Sequence, residues 1–193
     1  MEECKPTKNT GLRGITIAST KISDVIGDEG KLIYRGFLVP DLADRAGFEE
    51  IVHLLLFESL PDKEQLAHIK QQLKDERTIP DEVIAALKTC PAKALPMDIL
   101  QAGVAMLAHH DSDVNDPSRE SALRMAIRLI AKLPTVLAAW GRIREGREPL
   151  APDPALDHSA NFLYMLFGEK PTSEVARFFD VALVLHAEHS FNA

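Results

Sequence analysis

The residues with the clearest capacity for chemistry are two imidazoles three positions apart, in His186-Ala187-Glu188-His189. On a continuous helix Val175, Phe179, Ala182, His186 and His189 share one face at i+3 and i+4 steps. Both rings then emerge where an apolar face reaches its C-terminal end. The dipole of a helix C-terminus favours a protonated ring, and His189 in that state can donate to a carboxylate or polarise a ketone oxygen. Two other readings stay open. The pair can be satisfied core or C-cap histidines, or a metal pair, although the spacing lacks the i,i+4 geometry and the glutamate placement of a His-Glu-x-x-His zinc helix.

His109-His110-Asp111-Ser112-Asp113 follows a helical pattern and precedes Pro117, which reads as a turn with helix-terminating histidines. His158, after Asp157, is expected to serve the entry turn of a helix, and His53 and His68 sit singly in amphipathic segments. Arg119, Arg124, Arg128, Lys132, Arg142, Arg144 and Arg147 gather in one third of the chain. They form either a patch for an anionic metabolite or solvated helix faces with pairs such as Glu120 and Arg124. Paired carboxylates such as Glu49-Glu50 and Asp81-Glu82 are expected on exposed faces, which makes them poor acid/base candidates. No Gly-x-Ser-x-Gly elbow occurs, no Gly-rich phosphate loop, and no cysteine with a basic neighbour at motif spacing.

These residues need a scaffold, and the chain has the means to build one. Its 193 residues are 46% apolar, enough for a core without staples. Cys4 and Cys90 suggest neither a disulfide framework nor a metal knuckle, so a reducing, cytoplasmic setting is expected. The net charge of −7 with interspersed signs argues against a nucleic-acid footprint. No signal segment or membrane-spanning run is recognised.

Between Gly14 and Gly36, short β-branched stretches (Ile15 to Ile17, Ile22 to Ile26, Leu32 to Tyr34) flank Gly27-Asp28-Glu29-Gly30, which predicts a small β-hairpin or meander lying against helices. From Pro40 onward the period is helical. One helix carries Phe48, Ile51, Val52, Leu55 and Leu56 on its apolar face; others are predicted over 63–75, opened by an Asp62/Gln65 capping box, and over 80–89, 96–109, 118–144, 156–167 and 173–189. Pro134 should kink or break the long one, with a long bent helix as the expected result. At least half of the residues should be helical, with strands confined to about the first forty. The stripes Ala126, Leu129, Ile130 and Leu133, and Val175, Phe179 and Ala182, predict a helical interface.

Taken in order, several segments resemble the citrate synthases, mainly the shorter form of archaea and many bacteria. They are Gly11-Leu12-Arg13-Gly14 with Thr20-Lys21-Ile22-Ser23; Leu32-Ile33-Tyr34-Arg35-Gly36; Phe48-Glu49-Glu50 running to Leu54-Leu55-Leu56-Phe57; and Pro96-Met97-Asp98. Ala126-Ile127-Arg128 to Lys132-Leu133-Pro134-Thr135, Asn161-Phe162-Leu163-Tyr164 to Gly168, and His186-Ala187-Glu188-His189 to Asn192-Ala193 complete the set.

The resemblance implies a mainly α fold, in which residues 1–193 form a single domain corresponding to the N-terminal part of the large domain. It implies a dimer, or pairing with a missing C-terminal half, and an acyltransferase of the tricarboxylic acid cycle that condenses oxaloacetate with acetyl-coenzyme A. It assigns oxaloacetate binding to His189 and Asn192. No metal or cofactor is implied beyond the acyl-coenzyme A co-substrate. The enol-stabilising histidine, the proton-abstracting aspartate and the carboxylate-clamping arginines of full-length members have no counterpart here, so the chain alone is expected to be inactive. A 2-methylcitrate synthase, a split-enzyme subunit and a non-catalytic dimerising remnant are the alternatives.

Overall fold

The computed structural model describes residues 19–188. The described residues open with a three-stranded antiparallel sheet in the order β1 (Ser23–Ile26), β2 (Lys31–Tyr34) and β3 (Phe37–Leu38). β1 and β2 are joined across a single 3₁₀ turn, Gly27–Glu29, that closes on Gly30 at φ +63°. A left-handed residue there suits glycine, which has no Cβ to clash. The predicted hairpin is present, with Val25 opposite Leu32, and β3 extends it by pairing Leu38 with Ile33. Ile15 to Ile17 lie outside the described residues.

Eight helices follow among the described residues: α1 (Val39–Arg45), α2 (Phe48–Phe57), α3 (Lys63–Asp75), α4 (Asp81–Thr89), α5 (Pro96–Ala108), α6 (Arg119–Ile143), α7 (His158–Phe167) and α8 (Ser173–Leu185). Helix accounts for 61% of the described structure, and every described strand lies before residue 40. The starts are chemically legible. The capping box opens α3 reciprocally: Gln65 N–H donates to the Asp62 carboxylate at 2.9 Å, and Asp62 N–H to the Gln65 side-chain oxygen at 2.9 Å. Pro96 occupies the first turn of α5, where its missing N–H costs nothing.

α6 runs unbroken through Pro134 and packs against α3, α4, α5 and α7, which makes it the centre of the molecule. Two core clusters lean on it. One joins α4, α5 and α6 through Val83, Leu87, Ile99, Val136 and Trp140, and the other joins α2, α3 and α6 through Val52, Ile69, Leu73 and Ile127. At Gly103 of α5, a Cβ would stand 2.8 Å from Val136 Cγ1, so the two helices approach more closely than any side chain there would permit. A third cluster seats α8 on the sheet, where Val184 meets Tyr34, Val39, Leu42 and Ile51.

Two helix boundaries differ from expectation by more than one residue. α7 starts at His158 because Leu156 O is taken by Arg77 Nη1 at 2.7 Å and the Asp157 carboxylate by Lys70 and Lys74 at 2.8 and 3.1 Å. α8 ends at Leu185, short of the predicted His189, and His186 occupies its C-cap. The shared helical face expected for His186 and His189 is therefore not formed by α8. Of the apolar stripe Val175, Phe179 and Ala182, only Val175 is exposed. Phe179 stacks on Phe162 with ring centroids 5.1 Å apart, while Val175, Phe178 and Leu185 face outward, Phe178 being 79% exposed.

Candidate functional site

The C-terminal end of α8 is held from three directions. At its middle, the Asp180 carboxylate accepts Phe48 N–H at 3.2 Å, the Ser159 hydroxyl at 2.7 Å and an Arg177 N–H at 3.1 Å. It thus ties the first turns of α2 and α7 to α8, where helix dipoles favour a negative charge. The same Arg177 donates to Ala43 O at 2.6 Å and Ala46 O at 2.9 Å, closing off the carbonyls at the end of α1.

At the tip, His186 Nδ1 bonds to Ala182 O at 2.7 Å, so this ring caps its own helix. Tyr34, fully buried on β2, reaches the residues beyond. Its hydroxyl accepts Glu188 N–H at 3.3 Å and lies 3.0 Å from Glu188 O and 3.3 Å from Leu185 O, the acceptors for its one proton. Burial raises the Tyr34 pKa above its ordinary value. These contacts explain the early end of α8: an N–H that would continue the helix is given to the sheet instead. His189 and Asn192 lie outside the described residues.

A second polar group is buried between α2, α7 and the loop before α4. His158 is 4% exposed, stacks against Phe48 at 5.0 Å, and donates its backbone N–H to Glu49 Oε1 at 3.0 Å. Glu49, expected on an exposed face, is also 4% exposed, because this N–H and the nearby Arg77 charge offset its desolvation. Burial, with a smaller push from Arg77, lowers the His158 pKa to about 4, so the ring is neutral at physiological pH. His158 also lines an apolar recess of about 200 Å³ with Leu133, Pro134, Leu137, Phe162 and Phe179.

Arg119, Arg124, Arg128, Lys132 and Arg147 of the arginine-rich stretch are paired with carboxylates, while Arg142 donates to Glu148 O. Arg128 reaches Asp111 at 2.6 Å and Asp113 at 2.5 Å, Arg124 takes Asp113 at 2.6 Å, and Lys132 takes Glu76 at 2.7 Å. Arg124 pairs with Asp113 rather than with Glu120, and the two guanidinium groups hold the Asp113 carboxyl well below the usual carboxylate range. Neither sequence alternative is therefore complete. The cluster His109 to Asp113 is a turn as expected, but its aspartates neutralise α6. The Arg128 and Lys132 pairs stand beside a recess of about 470 Å³ whose interior is lined by Ile79, Leu107, Met125 and Leu129.

Among the described residues, no group of three or more His, Cys, Asp or Glu side chains is placed to hold a metal ion. No described helix is long and apolar enough to cross a membrane. Tyr34, Asp180 and Arg77 escape sequence reasoning because their partners lie far away in the chain, 151 to 154 residues for Tyr34.

The family model described as citrate synthase, C-terminal domain, matches residues 11–193. The chain belongs to the citrate synthase family. It is 39% identical over 183 residues to a citrate synthase of Deinococcus radiodurans, covering 95% of this chain and 48% of that protein. To a 2-methylcitrate synthase of Mycobacterium tuberculosis it is 36% identical over 189 residues, covering 98% of this chain and 48% of that one. Among solved structures, the citrate synthase of the archaeon Thermoplasma acidophilum, in ternary complex with carboxymethyl coenzyme A and oxaloacetate, superposes with a TM-score of 0.90 at 26% identity, covering 98% of this chain and 50% of that one. The chain thus spans about half the length of the citrate synthases it matches.

Proposed function

We propose that the chain forms the oxaloacetate-binding side of a citrate synthase, with His189 and Asn192 contacting oxaloacetate and acetyl-coenzyme A as co-substrate. The observation that carries this reading is the family match across residues 11–193, which includes both side chains. The resemblance assigns His189 to the substrate, and His186, whose Nδ1 bonds to Ala182 O, serves as the helix cap.

Condensation requires a base to remove a methyl proton from the thioester and donors to stabilise the enol and polarise the ketone. Among the described residues the buried Glu49 accepts His158 N–H, and the part-buried Asp180 accepts three donors. On this reading, which follows the family resemblance, the base and the enol-stabilising donor belong to the other half of the synthase. The isolated chain should release no thiol from acetyl-coenzyme A in the presence of oxaloacetate. In a synthase completed with the remaining half of the Deinococcus radiodurans relative, His189→Ala should weaken oxaloacetate binding and turnover together, because a donor to the ketone or a carboxylate acts in ground and transition states alike. Robust thiol release by the repurified isolated chain, or a silent His189→Ala, would defeat the assignment.

The 36% identity to a 2-methylcitrate synthase supports a second reading, in which propionyl-coenzyme A is the acyl donor. One methylene is worth about 1–3 kcal/mol of discrimination, so rates with the two thioesters in the completed enzyme separate the readings. Val175, Phe178 and Leu185 on α8, with Leu95 and Met97 at the start of α5, expose apolar surface that supports association with a second copy or with the other half. Sedimentation of the isolated chain should show a species larger than a monomer, and a clean monomer with little apolar-dye binding would contradict this.

A further inference from the structure

We propose that the recess beside His158 is a socket for one tyrosine side chain of the polypeptide that supplies the other half of the synthase. The inference rests on the reading of this chain as one side of that enzyme. The wall of the recess is drawn from four helices, with Leu100 of α5, Leu133 of α6, Phe162 of α7, and Phe179 and Leu183 of α8. Among the described residues His158 is the one polar side chain on it. The ring is held in place, by the bond from its backbone N–H to Glu49 and by the stack on Phe48, yet its Nδ1 is buried with no hydrogen-bond partner among those residues. Buried polar groups are nearly always partnered, so the ring indicates what the socket takes.

The chemistry of the occupant follows from wall and ring together. The recess of about 200 Å³ exceeds the roughly 150 Å³ in which an apolar cavity takes benzene, so a single ring fits. Phe162 and Phe179, stacked at 5.1 Å, both line it, which favours an aromatic occupant. The apolar surroundings that hold His158 neutral also oppose a charged guest. A hydroxyl both donates and accepts, so it answers either tautomer of a neutral imidazole, whereas an indole only donates. Tyrosine joins the ring to the hydroxyl. Its source follows from length and surface: the chain spans about half of the citrate synthases it matches, and α5 and α8, which help to wall the recess, also expose Leu95, Met97, Val175, Phe178 and Leu185.

p-Cresol, the tyrosine side chain without its backbone, is the probe. With the 193-residue chain it should bind saturably and show nuclear Overhauser effects to the ring protons of Phe162 and Phe179, while p-toluate, the same ring bearing a charge, should not. In His158→Phe the ratio of p-cresol to toluene affinity should fall about fivefold, the worth of one hydrogen bond, and the ratio cancels any change of fit that both ligands feel. In the synthase completed with the remaining half of the Deinococcus radiodurans relative, p-cresol should no longer bind, and labelled tyrosine rings of the added half should take over the effects to Phe162 and Phe179. No effects from p-cresol in the isolated chain, equal binding of p-toluate, or an unchanged ratio in His158→Phe overturns the socket, and the first two need no variant. Undiminished p-cresol binding in the completed synthase, or a socket filled there by another residue type, overturns the tyrosine. None of these readouts uses oxaloacetate. A completed synthase that fails to turn over while its tyrosine contacts Phe162 sinks the reading of function and leaves the socket standing.

Discussion

Arg77→Ala should destabilise the fold by about 3–5 kcal/mol, the range for removing one partner from a buried charged group. Arg77 is 2% exposed and lies among Glu49, Asp153 and Asp157, whose charges partly offset the lowering of its pKa by burial. Its Nη1 donates to Leu156 O at 2.7 Å, and its own carbonyl accepts the Thr135 hydroxyl of α6. Truncation leaves Leu156 O without that donor and Glu49 buried with less positive charge nearby. Arg77→Lys should recover little, since an ammonium lacks the planar fork. Urea unfolding followed by circular dichroism measures this, and a loss under about 1 kcal/mol would show that the buried charges are solvated some other way.

Acidification should weaken the fold in a window set by His158. Its folded pKa of about 4 lies below the unfolded value of 6.5 because burial, and secondarily Arg77, disfavour the imidazolium. Above pH 6.5 both states are neutral and the stability is whole. Between about pH 6.5 and 4 the unfolded chain takes up a proton that the folded chain refuses, which should remove on the order of 3 kcal/mol, and below about pH 4 this loss levels off. His158→Phe keeps a ring against Phe48 and should flatten the curve in that window. Arg77→Ala removes a cation, so it should also raise the His158 pKa, which links the two measurements. An unchanged slope between pH 6.5 and 4 in His158→Phe would mean that the ring is not the group responsible.

How much of this was legible in the sequence depends on how far the partners lie apart. The Asp62/Gln65 capping box, the Gly27–Gly30 turn and Pro96 at a helix start are local devices, and each is where the pattern places it. Pro134 is expected to leave one long bent helix, and α6 does run on through it as a single helix, packed among four neighbours. The α8 boundary failed for a physical reason: Ala187 and Glu188 continue a helical pattern, but Glu188 N–H finds Tyr34 across the fold. Glu49 was misjudged because its partner is the backbone of His158, 109 positions away, and no local pattern announces that. The i,i+4 spacing pairs Arg124 with Glu120, whereas aspartates in the preceding loop reach the α6 cations first. The substrate assignment came from resemblance, since spacing alone left His186 and His189 open to three readings.

The union of Tyr34 with the end of α8 bears on the order in which the fold is acquired. Most helices here pack against neighbours close in the chain, contacts that form quickly because short loops close at little entropic cost. Tyr34 and Val184 join across nearly the whole described length. During synthesis from the N-terminus, the sheet and α1 emerge early and must wait, with Tyr34, Val39 and Leu42 uncovered, until α8 has been made. Docking of α8 should therefore be the late, slow step of folding. A nascent chain halted before residue 173 would present that apolar seat to chaperones.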